Sequence, residues 1–310
     1  MQKRIVVVGS INLDLVAATQ RIPQAGETVA GSNFQIFPGG KGANQAVAAT
    51  RLGAPVSMLG KLGSDVFATE LRKSLEDAGV ETAAVANVPG PSGIALITTD
   101  IKGENSITII GGANSQLARE DIDANADLLR GAGIILTQLE IPLSTVERLA
   151  QFTRKEGIPL MLDPAPARPL SPSLLECVDW ITPNEGEACS LLGYSPRELS
   201  EADLEDGATR LLQMGSRNVV LKLGARGCYL ALADGTRKRL PAYNVSAVDT
   251  TAAGDAFNGA FAVALLAGKD PLSSASWAMA VSAISVTRNG AQPSMPTFEE
   301  VERFLEKAKA

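Results

Sequence analysis

The sequence predicts an α/β protein: a three-layer sandwich with a mostly parallel central sheet flanked by helices, plus a small β-sheet lid. Two observations predict the large sheet. Short apolar runs recur at residues 5–8, 134–139, 160–162 and 219–223, as expected for buried parallel strands. Longer amphipathic segments lie between these runs, which is the order of a βαβ protein.

The helices are predicted from apolar residues at helical spacing. Residues 65–78 carry an apolar stripe that ends at Gly79, a residue that commonly stops a helix. The stripe consists of Val66, Phe67, Leu71, Leu75 and Ala78. Further helices are predicted to begin near Leu143, Glu201, Gly254 and Pro271. The uncharged stretch 271–287 is rich in Ala and contains several serines, which favours a buried helix over a membrane span.

Two insertions interrupt the βαβ order, at residues 15–37 and 93–110. In the second, alternating residues predict a hairpin of two strands: Ile94, Leu96 and Thr98, then Ser106, Thr108 and Ile110. We expect the two insertions to pair into one small sheet, the lid, formed by about residues 12–38 and 92–114. The prediction for residues 1–310 is a single α/β domain that carries this lid.

Composition and charge exclude several classes of function. The 310 residues contain no histidine, which excludes Ser-His-Asp hydrolysis, histidine-ligated catalytic zinc and haem binding through histidine. Acid-base chemistry then falls to carboxylates, Lys, Tyr or Cys. There are 28 Lys and Arg against 34 Asp and Glu, a net charge of −6. This charge argues against nucleic acid as a partner and favours a small-molecule substrate.

Targeting and cysteine patterns favour a cytoplasmic protein. The three cysteines are too few and too scattered for a disulfide framework. The apolar run 5–8 is too short for the core of a signal peptide, and the sequence predicts no membrane segment.

Two nucleotide-binding motifs are absent, since residues 9–12 offer no G-x-G-x-x-G and residues 39–42 lack the spacing of a P-loop.

Residues 249–261, DTTAAGDAFNGAF, place small residues before an acidic residue and an apolar helix. Small side chains let the backbone turn tightly and direct three amides at one point, where the helix dipole favours an anion. These amides belong to Ala252, Ala253 and Gly254. Asp255 beside them could accept a proton from an attacking hydroxyl group. Alternatively, Asp255 only caps the helix.

Two further polar segments are candidate ligand sites. Residues 37–44, FPGGKGAN, precede an Ala-rich helix, and Lys41 and Asn44 can donate hydrogen bonds to a polyhydroxylated ligand. Asn12 and Asp14 follow the first strand at i, i+2 spacing, at the end where open α/β sheets bind ligands. A plain helix entry loop and a turn-forming Asx pair are the competing interpretations.

The sequence resembles the ribokinase-like (PfkB) carbohydrate kinase family along its whole length. Both family signatures are present, GGKGANQAVAATRLG at 39–53 and DTTAAGDAFNGAF at 249–261. The supporting segments are GSINLD at 9–14, PQAGETV at 23–29, DPAPAR at 163–168, TPNEGE at 182–187 and TRNGAQPS at 287–294.

The resemblance implies transfer of the ATP γ-phosphoryl group to the 5-hydroxyl of D-ribose, with the lid excluding water. Asp255 matches the family's catalytic base, which also contacts the sugar, and Ala252, Ala253 and Gly254 match its anion hole. The other expected ribose contacts are Asn12, Asp14, Gly40, Lys41, Asn44 and Glu140. The expected ATP contacts are Asn184, Lys222, Gly224, Gly227, Gly254 and Met279.

Two cations are also implied by the resemblance. Asn184 and Glu187 act on Mg²⁺, largely through water, and this metal offsets phosphate charge that the acidic protein has few cations to neutralise. A monovalent cation, usually K⁺, lies beside the anion hole. The positions that match its ligands are Asp249, Thr251, Ser285, Arg288, Gly290 and Ser294. The alternative for Asp249 is a turn carboxylate.

Two residues depart from common family residues. Many relatives have Gly where Ala252 stands, and we expect little effect because the backbone amide acts. Met279 stands where some members carry a polar His or Asn. Methionine can still pack on a purine, but a base-specific hydrogen bond is lost, which puts nucleotide selectivity in question.

The resemblance also implies a homodimer through the exposed apolar face of the lid, because a small sheet is marginal alone. Two alternative functions stay open. One is another kinase of the family that acts on deoxyribose, a different sugar or a nucleoside. The other is a catalytically silent ligand-binding regulator on the same scaffold, against which the retained Asp255 argues.

Overall fold

The computed structural model describes residues 3–102 and 104–309, in which strands and helices alternate. The strands are β1 (Arg4–Val8), β2 (Asn12–Thr19), β3 (Gly31–Gly39), β4 (Val56–Leu62), β5 (Val85–Asn87), β6 (Gly93–Thr99), β7 (Asn105–Ile110), β8 (Ala132–Thr137), β9 (Leu160–Leu162), β10 (Trp180–Ile181), β11 (Asn218–Lys222), β12 (Cys228–Ala231) and β13 (Arg237–Leu240). The α-helices are α1 (Lys41–Arg51), α2 (Phe67–Asp77), α3 (Arg119–Ala124), α4 (Ala126–Arg130), α5 (Leu143–Glu156), α6 (Pro172–Leu175), α7 (Glu185–Leu192), α8 (Glu201–Gln213), α9 (Ala253–Leu266), α10 (Pro271–Ser285) and α11 (Phe298–Lys309).

The large sheet is mostly parallel, as predicted. Its strand order is β13, β12, β11, β10, β9, β8, β1, β4, β5. All neighbouring strands from β11 to β5 pair in parallel. The hairpin of β12 and β13 adds an antiparallel edge next to β11.

The side chains of β1 alternate between two hydrophobic cores. Ile5 and Val7 pack with α1, α2, α9, α10 and α11 on one face of the sheet. Val6 and Val8 pack with helices α3 to α8 on the other face. Because successive residues of a strand point to opposite faces, a continuous apolar run is what a sheet covered on both sides requires. The predicted three-layer α/β sandwich is confirmed.

A smaller sheet has the strand order β3, β2, β6, β7. Only residues 9–11 separate β2 from β1. Strand β2 pairs antiparallel with β3 and parallel with β6, and β6 forms a hairpin with β7. Leu15 on β2 lies opposite Ile36 on β3 and Leu96 on β6, so these three residues share one face of the sheet. The four strands come from the two insertions that interrupt the βαβ order.

Most predicted elements lie within two residues of their observed positions, and two differences have local causes. The helix predicted from residue 65 begins at Phe67, because the Asp65 side chain accepts hydrogen bonds from the amides of Ala68 (3.1 Å) and Ser92 (2.7 Å) in the preceding turn. Strand β4 was not predicted, since Ser57, Gly60 and Lys61 interrupt its apolar residues. Among the described helices, none is both long enough and apolar enough to cross a membrane.

The strand order reverses at β1, which positions the candidate site. From β1 the chain reaches β4 on one side through β2, β3 and α1, whereas β8 and its successors lie on the other side. In open α/β sheets, ligands bind at the carboxyl ends of the strands where the order reverses. The residues that follow β1 and β8 therefore border the expected crevice.

Gly259 on α9 sets how closely this helix approaches α1. A Cβ atom on Gly259 would lie 2.8 Å from both the carbonyl oxygen of Gln45 and the Cβ of Ala48. We predict that Gly259→Ala pushes the helices apart and lowers the free energy of unfolding by about 1–2 kcal/mol, since overpacking outweighs the higher helix propensity of alanine. Urea denaturation measures the change.

The matched control is Gly186→Ala on the exposed side of α7. There a new Cβ would lie at an ordinary contact distance of 3.5 Å from Asn184 Oδ1, so no destabilisation is expected. A Gly259→Ala variant that is as stable as the wild type would contradict the prediction.

Candidate active site

Two glycines of the GGKG segment let α1 dock against the end of β1. Gly40 has φ 89°, a conformation that favours glycine, and a Cβ there would lie 2.6 Å from the amide nitrogen of Asn12. A Cβ on Gly42 would lie 2.7 Å from the amide nitrogen of Ser10. The amide of Ala43 donates a hydrogen bond to the Ser10 carbonyl (2.9 Å). This close approach brings the first turn of α1 to the carboxyl end of the large sheet.

Glu140, which follows β8, gathers the polar groups at this end of the sheet. Its Oε2 accepts hydrogen bonds from the Ser10 hydroxyl (2.5 Å), the Lys41 backbone amide (3.2 Å) and the Asn12 side chain (3.4 Å). Asn12 in turn accepts a hydrogen bond from Asn114 (2.7 Å). Oε1 of Glu140 has no donor among the described residues, so this oxygen can accept a hydrogen bond from a ligand hydroxyl.

Asp14 carries a buried carboxyl group beside other acids, and the residue is 8% exposed. Burial, and then the negative charges of Glu140 and Asp255, raise the pKa of Asp14 to about 7, against the opposing charge of Lys41. At neutral pH the group is therefore divided between its neutral and ionised forms.

Asp255 lies in the first turn of α9 and is 4% exposed. Its Oδ2 accepts a hydrogen bond from Asn44 Nδ2 and its Oδ1 accepts one from Gln45 Nε2, both at 3.0 Å. Burial raises the pKa of Asp255; the charge of Lys41 opposes this, Asp163 adds to it, and the two hydrogen bonds again lower it. The site thus combines a buried carboxyl group with the donors that stabilise its ionised form.

The loop before α9 turns sharply at Ala252, which has φ 58° and ψ 15°, a left-handed conformation uncommon for a residue other than glycine. The amide of Ala253 donates a hydrogen bond to the Thr250 carbonyl (3.2 Å). In the part of the chain that the structure describes, the amides of Ala252 and Gly254 have no acceptor. Of the three predicted anion-binding amides, two are therefore available, at a helix N-terminus whose dipole favours an anion.

A cleft of about 670 Å³ opens beside Asp255. This volume suits a ligand of nucleotide size. All predicted ATP contacts line the cleft: Asn184, Lys222, Gly224, Gly227, Gly254 and Met279. Lys41, predicted as a sugar contact, also lines it, and so do Asp163 and Tyr243. Lys41 therefore stands between the polar cluster around Glu140 and the cleft.

Asn184 and Glu187 cap the N-terminus of α7. Asn184 Oδ1 accepts a hydrogen bond from the Glu187 amide (2.8 Å), and Glu187 Oε2 accepts one from the Asn184 amide (2.7 Å). Burial raises the pKa of Glu187, Lys222 opposes this and Asp163 adds to it. The described residues contain no group of three or more His, Cys, Asp or Glu side chains arranged to hold a metal ion. A metal at Glu187 therefore needs further ligands from water or a bound molecule.

Three of the six residues predicted for a monovalent cation, Asp249, Thr251 and Gly290, are joined by hydrogen bonds at the loop before α9. Asp249 accepts hydrogen bonds from the backbone amides of Thr251 and Gly290, both at 2.8 Å. Burial works to raise the pKa of Asp249, but the Thr251 side chain and the two backbone amides together hold it below its usual value. The Arg288 side chain pairs with both carboxylate oxygens of Glu300, at 2.7 Å and 3.1 Å, so only its backbone is available to an ion. The hydrogen bonds of Asp249 also fit a turn carboxylate.

Three polar residues of the site were not predicted from the sequence: Gln45, Gln138 and Asp163. In the sequence, Gln45 is not distinguished from the other residues of an Ala-rich helix, although its side chain donates a hydrogen bond to Asp255. Asp163 follows β9, accepts a hydrogen bond from Lys222 Nζ (2.9 Å), and belongs to the DPAPAR segment. Its position at the carboxyl end of a parallel strand was the signal that could have found it.

The site combines three features: a buried carboxyl group at a helix N-terminus, available amides beside it and a cleft of nucleotide size. This combination defines a class of site that is suited to transferring an anionic group onto a polar acceptor. The comparison with protein families gives the particular family. The model of the pfkB family of carbohydrate kinases matches residues 2–298, and the chain belongs to this family.

Relatives with curated names match almost the whole chain. It is 40% identical to the ribokinase of Haemophilus influenzae, over 99% of this chain and 100% of that protein. It is 39% identical to the deoxyribokinase of Salmonella typhimurium, over 97% of this chain and 98% of that protein. Among solved structures, Arabidopsis thaliana ribokinase complexed with ribose and ATP has a TM-score of 0.92 and 35% identity, with 99% of each chain covered.

We predict that Asp14→Asn stabilises the protein at alkaline pH. The pKa of Asp14 is raised from 3.8 to about 7 on folding, so the wild type loses stability as the pH rises between these values and the buried group must ionise. Asparagine stays neutral, so the free energy of unfolding of the variant should exceed that of the wild type by about 1–3 kcal/mol at pH 8. The excess should shrink at pH 5, which urea denaturation at both pH values measures.

The control for this prediction is Asp127→Asn, whose parent side chain is fully exposed. Its effect on stability should be small at both pH values. A stabilisation by Asp14→Asn that is larger at pH 5 than at pH 8 would show that ionisation of Asp14 is not its source.

Proposed function

We propose that this protein transfers the γ-phosphoryl group of ATP to the 5-hydroxyl of D-ribose, giving D-ribose 5-phosphate and ADP. The observation that carries the proposal is the position of Asp255. Its carboxyl group lines the cleft and interacts electrostatically with Asp14 in the polar cluster at the end of β1. The similarity to relatives named ribokinase, one of them complexed with ribose and ATP, supports ribose as the acceptor.

The sugar binds, in this proposal, at the polar cluster where β1, β2 and α1 meet. Its expected contacts are Asn12, Asp14, Gly40, Lys41, Asn44 and Glu140. Two oxygens are ready to accept hydrogen bonds from sugar hydroxyls, Glu140 Oε1 and the buried Asn44 Oδ1, because neither has a donor among the described residues. Such acceptors suit a polyhydroxylated ligand, whose hydroxyl groups can donate to them.

Asp255 acts as the general base. Its carboxylate takes the proton of the 5-hydroxyl while that oxygen forms a bond to the γ-phosphorus, and the bond from phosphorus to the bridging oxygen of ADP breaks. The available amides of Ala252 and Gly254 stabilise the negative charge on the transferring group. Lys41, which faces both the cleft and Asp255, adds a positive charge there.

The nucleotide occupies the cleft. Gly224 and Gly227 permit close approach of the adenosine, Met279 packs against the purine, and Lys222 lies near the phosphates. Tyr243 forms a further wall of the cleft and is supported from α11 by an edge-on contact with Phe304, with 5.3 Å between ring centroids.

Asn184 and Glu187, at the N-terminus of α7, would hold the Mg²⁺ ion that accompanies the nucleotide. Glu187 keeps one carboxylate oxygen without a donor among the described residues, and a negative charge on this half-buried group favours a nearby cation. Asn184 and Glu187 would reach the ion largely through water, in agreement with the sparse protein ligands. When bound, the ion offsets the negative charge of the phosphates.

K⁺ fits beside the loop that carries Ala252. Asp249 is half-buried and forms no ion pair within the described residues, so its negative charge is available to a cation. The other proposed ligands are Thr251, Ser285, Arg288, Gly290 and Ser294, several through backbone carbonyls. A cation there would hold the loop that positions the amides of Ala252 and Gly254.

The small sheet would act as a lid over the sugar and as the surface of a homodimer. Phe34 is 59% exposed, and Ile36 and Leu96 are also exposed on the face they share with Leu15. A second copy would remove this apolar patch from water. We also expect a cytoplasmic protein, where its three free cysteines stay reduced.

The function is tested by ADP production from MgATP with D-ribose, 2-deoxyribose, fructose or adenosine, each in K⁺ and in Na⁺. We expect strong turnover with ribose, increased by K⁺. Activity restricted to another acceptor would retain the kinase and reject ribose. A folded protein without activity on any acceptor would instead favour a ligand-binding regulator.

Asp255→Asn should reduce kcat by about a thousandfold or more, because the amide cannot accept the proton. The dissociation constant of ribose should change by less than about threefold, since the amide keeps one hydrogen-bonding oxygen. Steady-state kinetics and calorimetry measure both quantities, with Asp127→Asn as the surface control. Near wild-type turnover in Asp255→Asn would remove this residue from the role of base.

Leu96→Asp should dissociate the proposed homodimer, because it places a charge in the centre of the buried apolar patch. Sedimentation equilibrium should show the mass of one chain for this variant and of two for the wild type. The control is Val66→Asp, which changes a residue that is 83% exposed outside the small sheet. A Leu96→Asp variant that remains dimeric would place the interface on another surface.

A further inference from the structure

A chain of hydrogen-bonded side chains contacts the carboxyl group of Asp255 through Gln45. Gln138 Nε2 donates to Gln45 Oε1 (2.7 Å). Gln45 Nε2 donates to both Asp255 Oδ1 (3.0 Å) and Asp163 Oδ2 (3.1 Å). Lys222 Nζ donates to the other oxygen of Asp163 (2.9 Å). The chain therefore connects the end of β8 with β11 through Gln45 and the carboxyl group of Asp163, and Asp255 joins it at Gln45.

The amide of Gln45 is held in one orientation by its neighbours. Its oxygen accepts the hydrogen bond from Gln138 Nε2. This nitrogen has no other acceptor among the described residues. Both hydrogens of the Gln45 NH₂ group are then directed at Asp163 and Asp255, whereas the reversed amide would face two carboxylates with an oxygen. Gln45 and Gln138 are at most 1% exposed, so water cannot replace these contacts.

Asp163 and Lys222 extend this chain to the nucleotide side of the cleft. Both line the cleft, and Asp163 is 3% exposed. A Cβ on Gly254 would lie 3.2 Å from Lys222 Nζ, so the ammonium group sits close to one of the amides available to an anion. Gln45 thus fixes one carboxylate oxygen of Asp255 relative to an ion pair that borders the anion site.

We propose that Gln45 and Asp163 are positioning residues for the base: Gln45, oriented by Gln138, aims the Asp255 carboxylate, and the Asp163–Lys222 pair anchors Gln45 next to the anion site. This inference rests on the proposed function for its kinetic consequence. The geometry behind it is independent of the identity of the sugar.

The two residues act on the ionisation of Asp255 in opposite directions. Gln45 stabilises the carboxylate by a hydrogen bond, and Asp163 disfavours it by a like charge. The other charged groups that face Asp255 are Lys41 on α1 and Asp14 on β2, and both are unchanged in the variants below. A residue that only fills space would not produce opposite changes.

The test uses Gln45→Met, which keeps the volume and removes the donor, and Asp163→Asn, which removes the charge. Carboxyl ¹³C NMR of Asp-labelled protein, with the signal assigned by its loss in Asp255→Asn, follows the titration of Asp255 without any enzymatic assay. We expect Gln45→Met to raise the pKa of Asp255 by about one unit and Asp163→Asn to lower it. Gln138→Met should also raise the pKa of Asp255, but by less than Gln45→Met does, because it acts only through Gln45.

In steady-state assays with D-ribose and MgATP, Gln45→Met should lower kcat roughly tenfold to a hundredfold and shift the acid limb of its pH profile upward. Both KM values should stay within about threefold, because the substrates do not touch Gln45. The control is Gln151→Met on the exposed side of α5, and unfolding temperatures show that each variant is folded.

An Asp255 titration that is unchanged in folded Gln45→Met and Gln138→Met, or shifted in the same direction by Gln45→Met and Asp163→Asn, would overturn the inference. The pKa of Asp255 could shift in opposite directions in the two variants while the wild type phosphorylates no sugar. That result would support the positioning of Asp255 and reject the proposed function. The two failures are therefore distinguishable.

Discussion

The arrangement of the site depends on keeping a negative charge at Asp255, a residue that is 4% exposed. Burial alone would favour the neutral acid, because a charge taken out of water loses its solvation. Three residues near the N-terminus of α1 offset this cost, through the ammonium group of Lys41 and the amide donors of Asn44 and Gln45. The charge on α9 is thus stabilised by a different helix, and the two helices must meet closely at their N-terminal turns.

The fold supplies that meeting point. Helices α1 and α9 lie in the same layer, on the face of the sheet that contains Ile5 and Val7. Gly42 lets α1 approach the end of β1, and Gly259 lets α9 approach α1, because a Cβ at either position would lie within 3 Å of backbone atoms. Two glycines that are distant in sequence therefore determine whether the donors reach Asp255. The close packing of α1 and α9 in the core therefore also fixes the geometry of the candidate site.

The large sheet and the anion loop were predictable because their signals are local. The apolar run of β1 and the small residues before Asp255 each reveal their role within a short segment. By contrast, Gln45 meets Asp255 across 210 positions of sequence, and no local pattern marks a glutamine in an Ala-rich helix as a partner of a distant carboxylate. The engagement of the Ala253 amide likewise depends on the left-handed turn at Ala252, which the residue type alone does not indicate. The family resemblance supplied roles for residues but not these contacts.

The balance of charge around the cleft explains why a cation belongs to the proposed reaction. Five carboxyl groups lie in or next to it, against the ammonium groups of Lys41 and Lys222. They are Asp14, Glu140, Asp163, Glu187 and Asp255. Mutual repulsion contributes to the raised pKa values of Asp14 and Asp255, so added negative charge from a nucleotide would hinder ionisation of the base unless a cation came with it. A Mg²⁺ ion bound together with the nucleotide would offset part of this added charge, so that nucleotide binding would hinder ionisation of the base less.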